Sequence, residues 1–241
     1  MARGLPDDSN VVVEKLGFAL QDMAELAARL GSPYTQNRRG NVLLQTDFSD
    51  GLGVWRQTKS GTNSAIYLTN DYFRTAGVAV RLYPDTALSN YAGLRAMFGP
   101  LTETKLGIQL SFMPSSSWHE LNFLIYYVVS GVAYTYDVRL DGPAKTIKLV
   151  LTESGTVVLE SNFAIETANL CWHTVRLVVD VESISYDTLT VDMTEYDISA
   201  YKPLGAATDS KPFWYLELQA TGNGSAQHSV YVDDIVLTIN D

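Results

Sequence analysis

One cysteine, Cys171, stands in the whole chain, so no disulfide can close a loop within it. Cations are scarce as well: 17 Lys and Arg stand against 27 Asp and Glu, a net charge of −10. A protein that grips duplex nucleic acid needs a basic face to displace counterions, and the only basic cluster here is the pair Arg38-Arg39. Nucleic acid is therefore not an expected partner, and the acidity reads as a means of keeping a concentrated protein soluble. Membrane insertion is not expected either, because Val11–Val13 falls far short of a spanning run. Residues 1–10 contain Asp7 and Asp8 and lead into no apolar export segment, so the expectation is synthesis in a cytoplasm without a signal peptide. The motifs G-x-S-x-G, the phosphate loop and H-E-x-x-H are all missing. What remains is 46% hydrophobic and only 18% charged, which supplies a core and argues against disorder.

The chain changes its period once. Residues 1–10 read as a flexible lead, in which Asp8, Ser9 or Asn10 can cap a following helix by offering a side-chain acceptor to its first amides. Over 11–31 the apolar positions Val13, Leu16, Leu20, Met23, Ala27 and Leu30 recur at intervals of three and four, an a/d seam. Gly31 and Pro33 end the expected helix, about 27 Å long. Two uses of the seam stay open. It can pack against the rest of the chain, the commoner fate of one amphipathic helix, or it can self-associate, as a homotrimer or on a larger assembly. Fewer than three heptads, weakened by Gly17, make a poor coiled coil alone, so a β domain that also associates would have to help.

Residues 32–41 (SPYTQNRRGN) form a polar linker, and from Val42 the period is two. Strands are predicted at 42–46, 65–69, 78–83, 91–98, 106–113, 121–129, 132–140, 146–152, 156–160, 173–181, 188–193, 213–220 and 230–239. Short turns such as Ser130-Gly131 and Asp141-Gly142-Pro143 separate them. So many strands without a helix between them predict an all-β, two-sheet antiparallel sandwich over 42–241, preceded by a short N-terminal helix. Alternation assigns faces. Leu106, Ile108, Leu110 and Phe112 share one, as do His173, Val175, Leu177, Val179 and Val181. Near the C-terminus Trp214, Leu216, Leu218 and Ala220 point inward, leaving Phe213, Tyr215, Glu217 and Gln219 outward.

Three segments carry a resemblance. Asp47-Phe48-Ser49-Asp50-Gly51-Leu52 with Trp55 resembles the "DFEDG…W" opening of many carbohydrate-binding jelly rolls. Trp172-His173-Thr174-Val175 with Val179-Asp180 and Leu189-Thr190-Val191-Asp192 is similar to the "WHHV…VD" strand and following hairpin of laminin-G, pentraxin and concanavalin-A-like domains. Val232-Asp233-Asp234-Ile235 looks like their terminal "VDDI" strand. In that order they imply a concanavalin-A-like jelly roll, a fold that hosts lectins, hydrolases and inert modules alike. The layout is similar to structural proteins of tailed bacteriophages, in which a short N-terminal element docks on head or tail and a β domain projects.

Catalysis is not expected. A glycosidase needs two carboxylates flanking the bond, and the fold's laminarinase-like enzymes carry E-x-D-x-E on one strand. The nearest pairs here are Asp192 with Glu195, out of phase on a strand, and Asp180 with Glu182, at a strand end. His173 fits a packed, hydrogen-bonded role, His119 and His228 fall in expected loops, and Cys171 reads as a small buried hydrophobe. The resemblance implies a structural calcium ion, for which Asp47, Asp50, Asp233 and Asp234 are the matching positions; the commoner role of such acids is to cap turns and line strand edges. No other cofactor is expected. Tyr91 with Arg95, and Tyr215 with Glu217 and Gln219, fall on outward phases, where they can meet solvent, a protein partner or a glycan.

These observations point first to a virion structural protein of a tailed phage: a capsid decoration, tail or fibre component that binds itself and other virion proteins and displays a lectin-like sandwich to cell-surface glycan. The alternative is a stand-alone carbohydrate-binding module or lectin of a bacterial glycan-processing system.

Overall fold

The computed structural model describes residues 41–75, 77–100, 104–151, 155–167 and 171–240. The lead over 1–10, the helix expected over 11–31 with its seam from Val13 to Leu30, and the linker up to residue 40 lie outside the described residues. Asn41, read as the end of the linker, opens the first strand.

The described residues contain sixteen strands and no helix. They are β1 (Asn41–Thr46), β2 (Arg56–Lys59), β3 (Ala65–Thr69), β4 (Ala79–Tyr83) and β5 (Tyr91–Phe98). Next come β6 (Lys105–Pro114), β7 (Glu120–Val129), β8 (Val132–Asp141), β9 (Thr146–Leu151), β10 (Gly155–Glu160) and β11 (His173–Asp180). The chain closes with β12 (Ser185–Val191), β13 (Thr194–Asp197), β14 (Leu204–Ala207), β15 (Phe213–Thr221) and β16 (Val230–Ile239). Every strand predicted from periodicity is present. The additional ones, β2, β13 and β14, are four residues long and largely exposed, so no apolar alternation marks them.

All pairings are antiparallel, in two sheets. The first runs β13-β12-β11-β6-β16-β4-β3, with β1 also on β16; the second runs β10-β9-β8-β7-β15-β5-β2, with β14 also on β8. Consecutive strands repeatedly change sheet, as β4 to β5, β5 to β6 and β15 to β16 do, and the whole is a two-sheet jelly-roll sandwich.

Each sheet gives its apolar face to the space between. Leu106, Ile108, Leu110, Phe112, Val175, Leu177 and Val179 of the first meet Phe123, Ile125, Val138, Leu140, Leu216 and Leu218 of the second, all at most 2% exposed. Each such side chain contributes about 1.5–3 kcal/mol by leaving water. Tyr136 and Tyr186 cross the core edge to face at 5.2 Å, and the Tyr186 hydroxyl accepts the Asp137 amide proton at 2.8 Å. A phenol thus ties β12 to the backbone of β8 through an otherwise apolar layer, and burial pushes both phenols well above their usual range.

Two of the resembling segments have special backbones. Phe48 adopts φ +61° in the turn after β1 and buries its ring, while Gly51 N–H closes the turn on the Phe48 carbonyl at 2.9 Å. In β16 the doublet Asp233-Asp234 forms a bulge against β6, with Asp234 at φ +51°.

Candidate functional site

The outer face of the second sheet is built by register. Tyr126 of β7, Tyr215 of β15 and Met97 of β5 stand in one row across the strands. Leu124, Glu217, Arg95 and Arg56 form the next, and Arg139, Asn122, Gln219, Gly93 and Thr58 the one after. The end row holds Asp141, Glu120, Thr221 and Tyr91. Alternation put Tyr91 and Arg95 on the outward phase of β5 and Tyr215, Glu217 and Gln219 on that of β15; the pairing of β5 with β15 brings the two sets onto one face.

Aromatic rings form its floor at one end. Tyr126 and Tyr215 stack at 4.8 Å with 13° between planes, and Phe213 continues the stack beside Tyr215 at 6.2 Å. The Arg95 guanidinium lies 4.5 Å over the Tyr215 ring. Its Nε–H and Nη2–H both donate to Glu217 Oε2, at 3.0 and 2.6 Å, while Thr58 Oγ1–H donates to Glu217 Oε1 at 2.7 Å. Glu217 corrects one expectation. It sits on the outward phase, but Arg95 and Thr58 cover it to 2% exposure, so it positions Arg95 and does not itself offer a contact. Gly93 makes the space for this: a Cβ there would stand 2.3 Å from the Leu218 carbonyl and 3.1 Å from Thr58 Oγ1.

Towards the other end the face turns polar. Asn122 is 6% exposed, and its Oδ1 accepts no hydrogen bond from the described residues. Arg139 grips Asp137 through Nη2 at 2.7 Å and stands 3.9 Å from Glu120. Lys148 bonds Asp141 at 2.7 Å, and the Ala144 amide donates to the same carboxylate at 2.9 Å. Burial pushes the Glu120 carboxyl above the usual range, against the pull of Arg139.

Sequence reasoning missed part of this face for two different reasons. Apart from Asn122 the run Leu121–Val129 is apolar in both phases, so alternation did not mark Tyr126 as outward. The in-phase run Asp137-x-Arg139-x-Asp141 of β8 was visible in the sequence but carries a cation between its two acids, so it does not stand out as a carboxylate pair. Asp192 with Glu195 makes no such pair either, since Asp192 sits in the β12–β13 turn bonded to His173. Asp180 accepts the amides of Glu182 and Ser183, as expected of a turn cap.

The implied calcium ion is a separate matter. Asp233 is fully buried and accepts the amides of Arg74 and Thr75 at 2.9 and 3.1 Å; Thr75 Oγ1 donates to Asp234. Asp234 Oδ2 is buried with no hydrogen-bond partner among the described residues, and the Arg74 Nε stands 3.9 Å from it. Burial and mutual repulsion push Asp233 up to about 7. An orphan carboxylate oxygen beside a second buried acid fits a hard cation. Asp47 is near enough for its charge to act on Asp234, whereas Asp50 is exposed. No group of three or more His, Cys, Asp or Glu converges on one point among the described residues, so carbonyl oxygens would have to complete the shell.

No protein-family model matches the sequence, and no curated protein does. Solved structures match the fold. The carbohydrate esterase vb_24B_21 from Shiga toxin-encoding bacteriophage phi24B is 21% identical with a TM-score of 0.53, covering 84% of this chain and 100% of its own. The cellulose-induced protein Cip1 is 9% identical with a TM-score of 0.56, covering 81% and 96%. An endo-β-1,4-glucuronan lyase from the fungus Trichoderma reesei is 11% identical with a TM-score of 0.53, covering 82% and 95%. At such identities the likeness is one of fold, a lectin-like jelly roll shared with glycan-processing proteins.

Proposed function

We propose that this chain is a non-catalytic carbohydrate-binding sandwich serving a glycan-processing system, with its glycan lying on the outer face of the second sheet. The observation that carries the reading is the Tyr126–Tyr215–Phe213 stack capped by Arg95, with the half-exposed Gln219 further along the same face. A sugar ring has an apolar C–H face and a hydroxyl rim. Ring surface left open on the stack meets the first, and donors and acceptors such as Arg95 and Gln219 meet the second. A binding role without hydrolysis is supported by three of the carboxylates of this face. Glu217, Asp137 and Asp141 each carry a bonded cation, which suits positioning better than attack or proton transfer.

The test is a glycan array followed by calorimetry on the best ligand. Saturable binding is expected, weakened about tenfold by Tyr215→Ala with an unchanged circular dichroism spectrum. Absence of saturable binding to every glycan would sink the proposal. Reducing ends released by the wild type and abolished by Glu120→Gln would replace it with a hydrolase.

A second reading, a virion component of a tailed phage that displays the same sandwich, draws on the heptad seam at Val13–Leu30 and on the likeness to a bacteriophage protein. It expects the chain to co-sediment with particles of the encoding phage and to lie among capsid, portal or tail genes.

A further inference from the structure

The outer face of the first sheet holds an aromatic cluster of its own. Tyr67 of β3, Arg81 of β4 and Tyr231 of β16 stand side by side in one row, and Tyr83 lies on the same face two residues along β4. The Arg81 guanidinium lies 4.8 Å from the centre of the Tyr83 ring and 5.9 Å from that of Tyr231. Tyr231 is in turn held edge to face by Tyr72 at 4.9 Å. Arg81 spends one donor, Nε–H, on Ser229 Oγ at 2.8 Å. Its two terminal amino groups have no hydrogen-bond partner among the described residues. Two rings and one hydrogen bond thus fix a planar fork whose outer donors are unfilled, at no further cost in side-chain entropy when something binds them.

In front of the fork lies a groove of about 410 Å³. Its wall includes Tyr67, 52% exposed, and Asp71, exposed and with a carboxylate that makes no hydrogen bond or ion pair with the described residues. Exposed flat ring, fixed donor and free acceptor border one small space. Vicinal hydroxyls on a six-membered ring need that combination: donation from Arg81 to one, acceptance by Asp71 from its neighbour, and Tyr67 beneath the C–H face. One cation and one anion leave the groove without net charge. An anionic sugar would face Asp71 within a chain of net charge −10.

We propose that this groove is a second carbohydrate site, taking a single neutral pyranose residue of a glycan on the sheet opposite the first site. It does not depend on the reading of the first face, and with both sites in place one chain would hold two glycan segments at once.

The experiment uses the full chain and neutral hexasaccharides of β-glucan, mannan, xylan and galactan type, titrated by calorimetry. The wild type is expected to bind two hexasaccharides per chain. A Tyr126→Ala/Tyr215→Ala variant, checked for an unchanged melting temperature, is expected to retain one. Adding Tyr67→Ala or Asp71→Asn should weaken that remaining site about tenfold. Tyr67 is exposed, so its loss leaves the fold intact. The proposal is overturned if the double variant binds none of the four, or if its binding ignores Tyr67→Ala. A wild type that binds one hexasaccharide, sensitive to Tyr67→Ala and indifferent to Tyr215→Ala, would keep this site and remove the first.

Discussion

Both ring nitrogens of His173 meet acceptors: Nδ1 stands 2.8 Å from Asp192 Oδ2, and Nε2 stands 2.9 Å from the Glu166 carbonyl. A neutral imidazole has one N–H, so only the imidazolium can donate to both. Burial by itself would lower the pKa of this histidine; the Asp192 bond and the Glu166 carbonyl outweigh it and leave the pKa raised above 6.5. Asp192 is correspondingly lowered: burial opposes the shift, but the His173 bond outweighs it. For a histidine with a raised folded pKa, the stabilisation is fully present below 6.5 and is lost as pH rises through the folded value. The melting temperature of the wild type is therefore expected to fall above pH 6.5 by more than that of His173→Gln. A ring titration followed by NMR should place the His173 midpoint above 6.5, and a midpoint below it would refute the account. The residue type and its packed role were legible from the W-H-x-V strand. Its partners were not, because Glu166 belongs to a segment without period and Asp192 to a turn that periodicity read as strand.

At the scale of elements, periodicity found the strands of five residues or more and missed the three four-residue ones, which stay largely exposed. It also read β16 as regular. Two consecutive acids in an otherwise apolar strand were a visible anomaly, and the structure makes them a bulge that turns both carboxylates toward Arg74 and Thr75. With Asp233 and Asp234 both raised by burial, and Asp234 Oδ2 lacking a hydrogen bond, the bulge is short of positive charge. Millimolar calcium is expected to raise the melting temperature of the wild type by several degrees, an effect reversed by chelator and absent in Asp234→Asn. A wild type indifferent to calcium would mean that Arg74 alone balances the pair.

For the whole molecule, the sandwich offers two outer faces, and the chain carries in addition the heptad positions of 11–31. If the seam associates copies of the chain, Leu20→Asp in the full chain should lower the mass seen by sedimentation from an oligomer to a monomer. If the seam packs only between copies, the melting temperature of the sandwich should stay within about 1–2 °C. A wild type that sediments as a monomer at all concentrations would refute the association.

By itself the sequence determined the all-β class, the strand boundaries to within a few residues and the phase of each alternating strand, because burial on one face of a pleat imposes a period of two. Strand order, and hence which outward residues become neighbours, was decided only by the tertiary structure. Arg95 meets Glu217 across 122 residues of chain, and Arg81 meets Ser229 across 148. No local pattern encodes such pairings. They arise when strands distant in sequence share a sheet, and that sharing converts scattered tyrosines and arginines into sites.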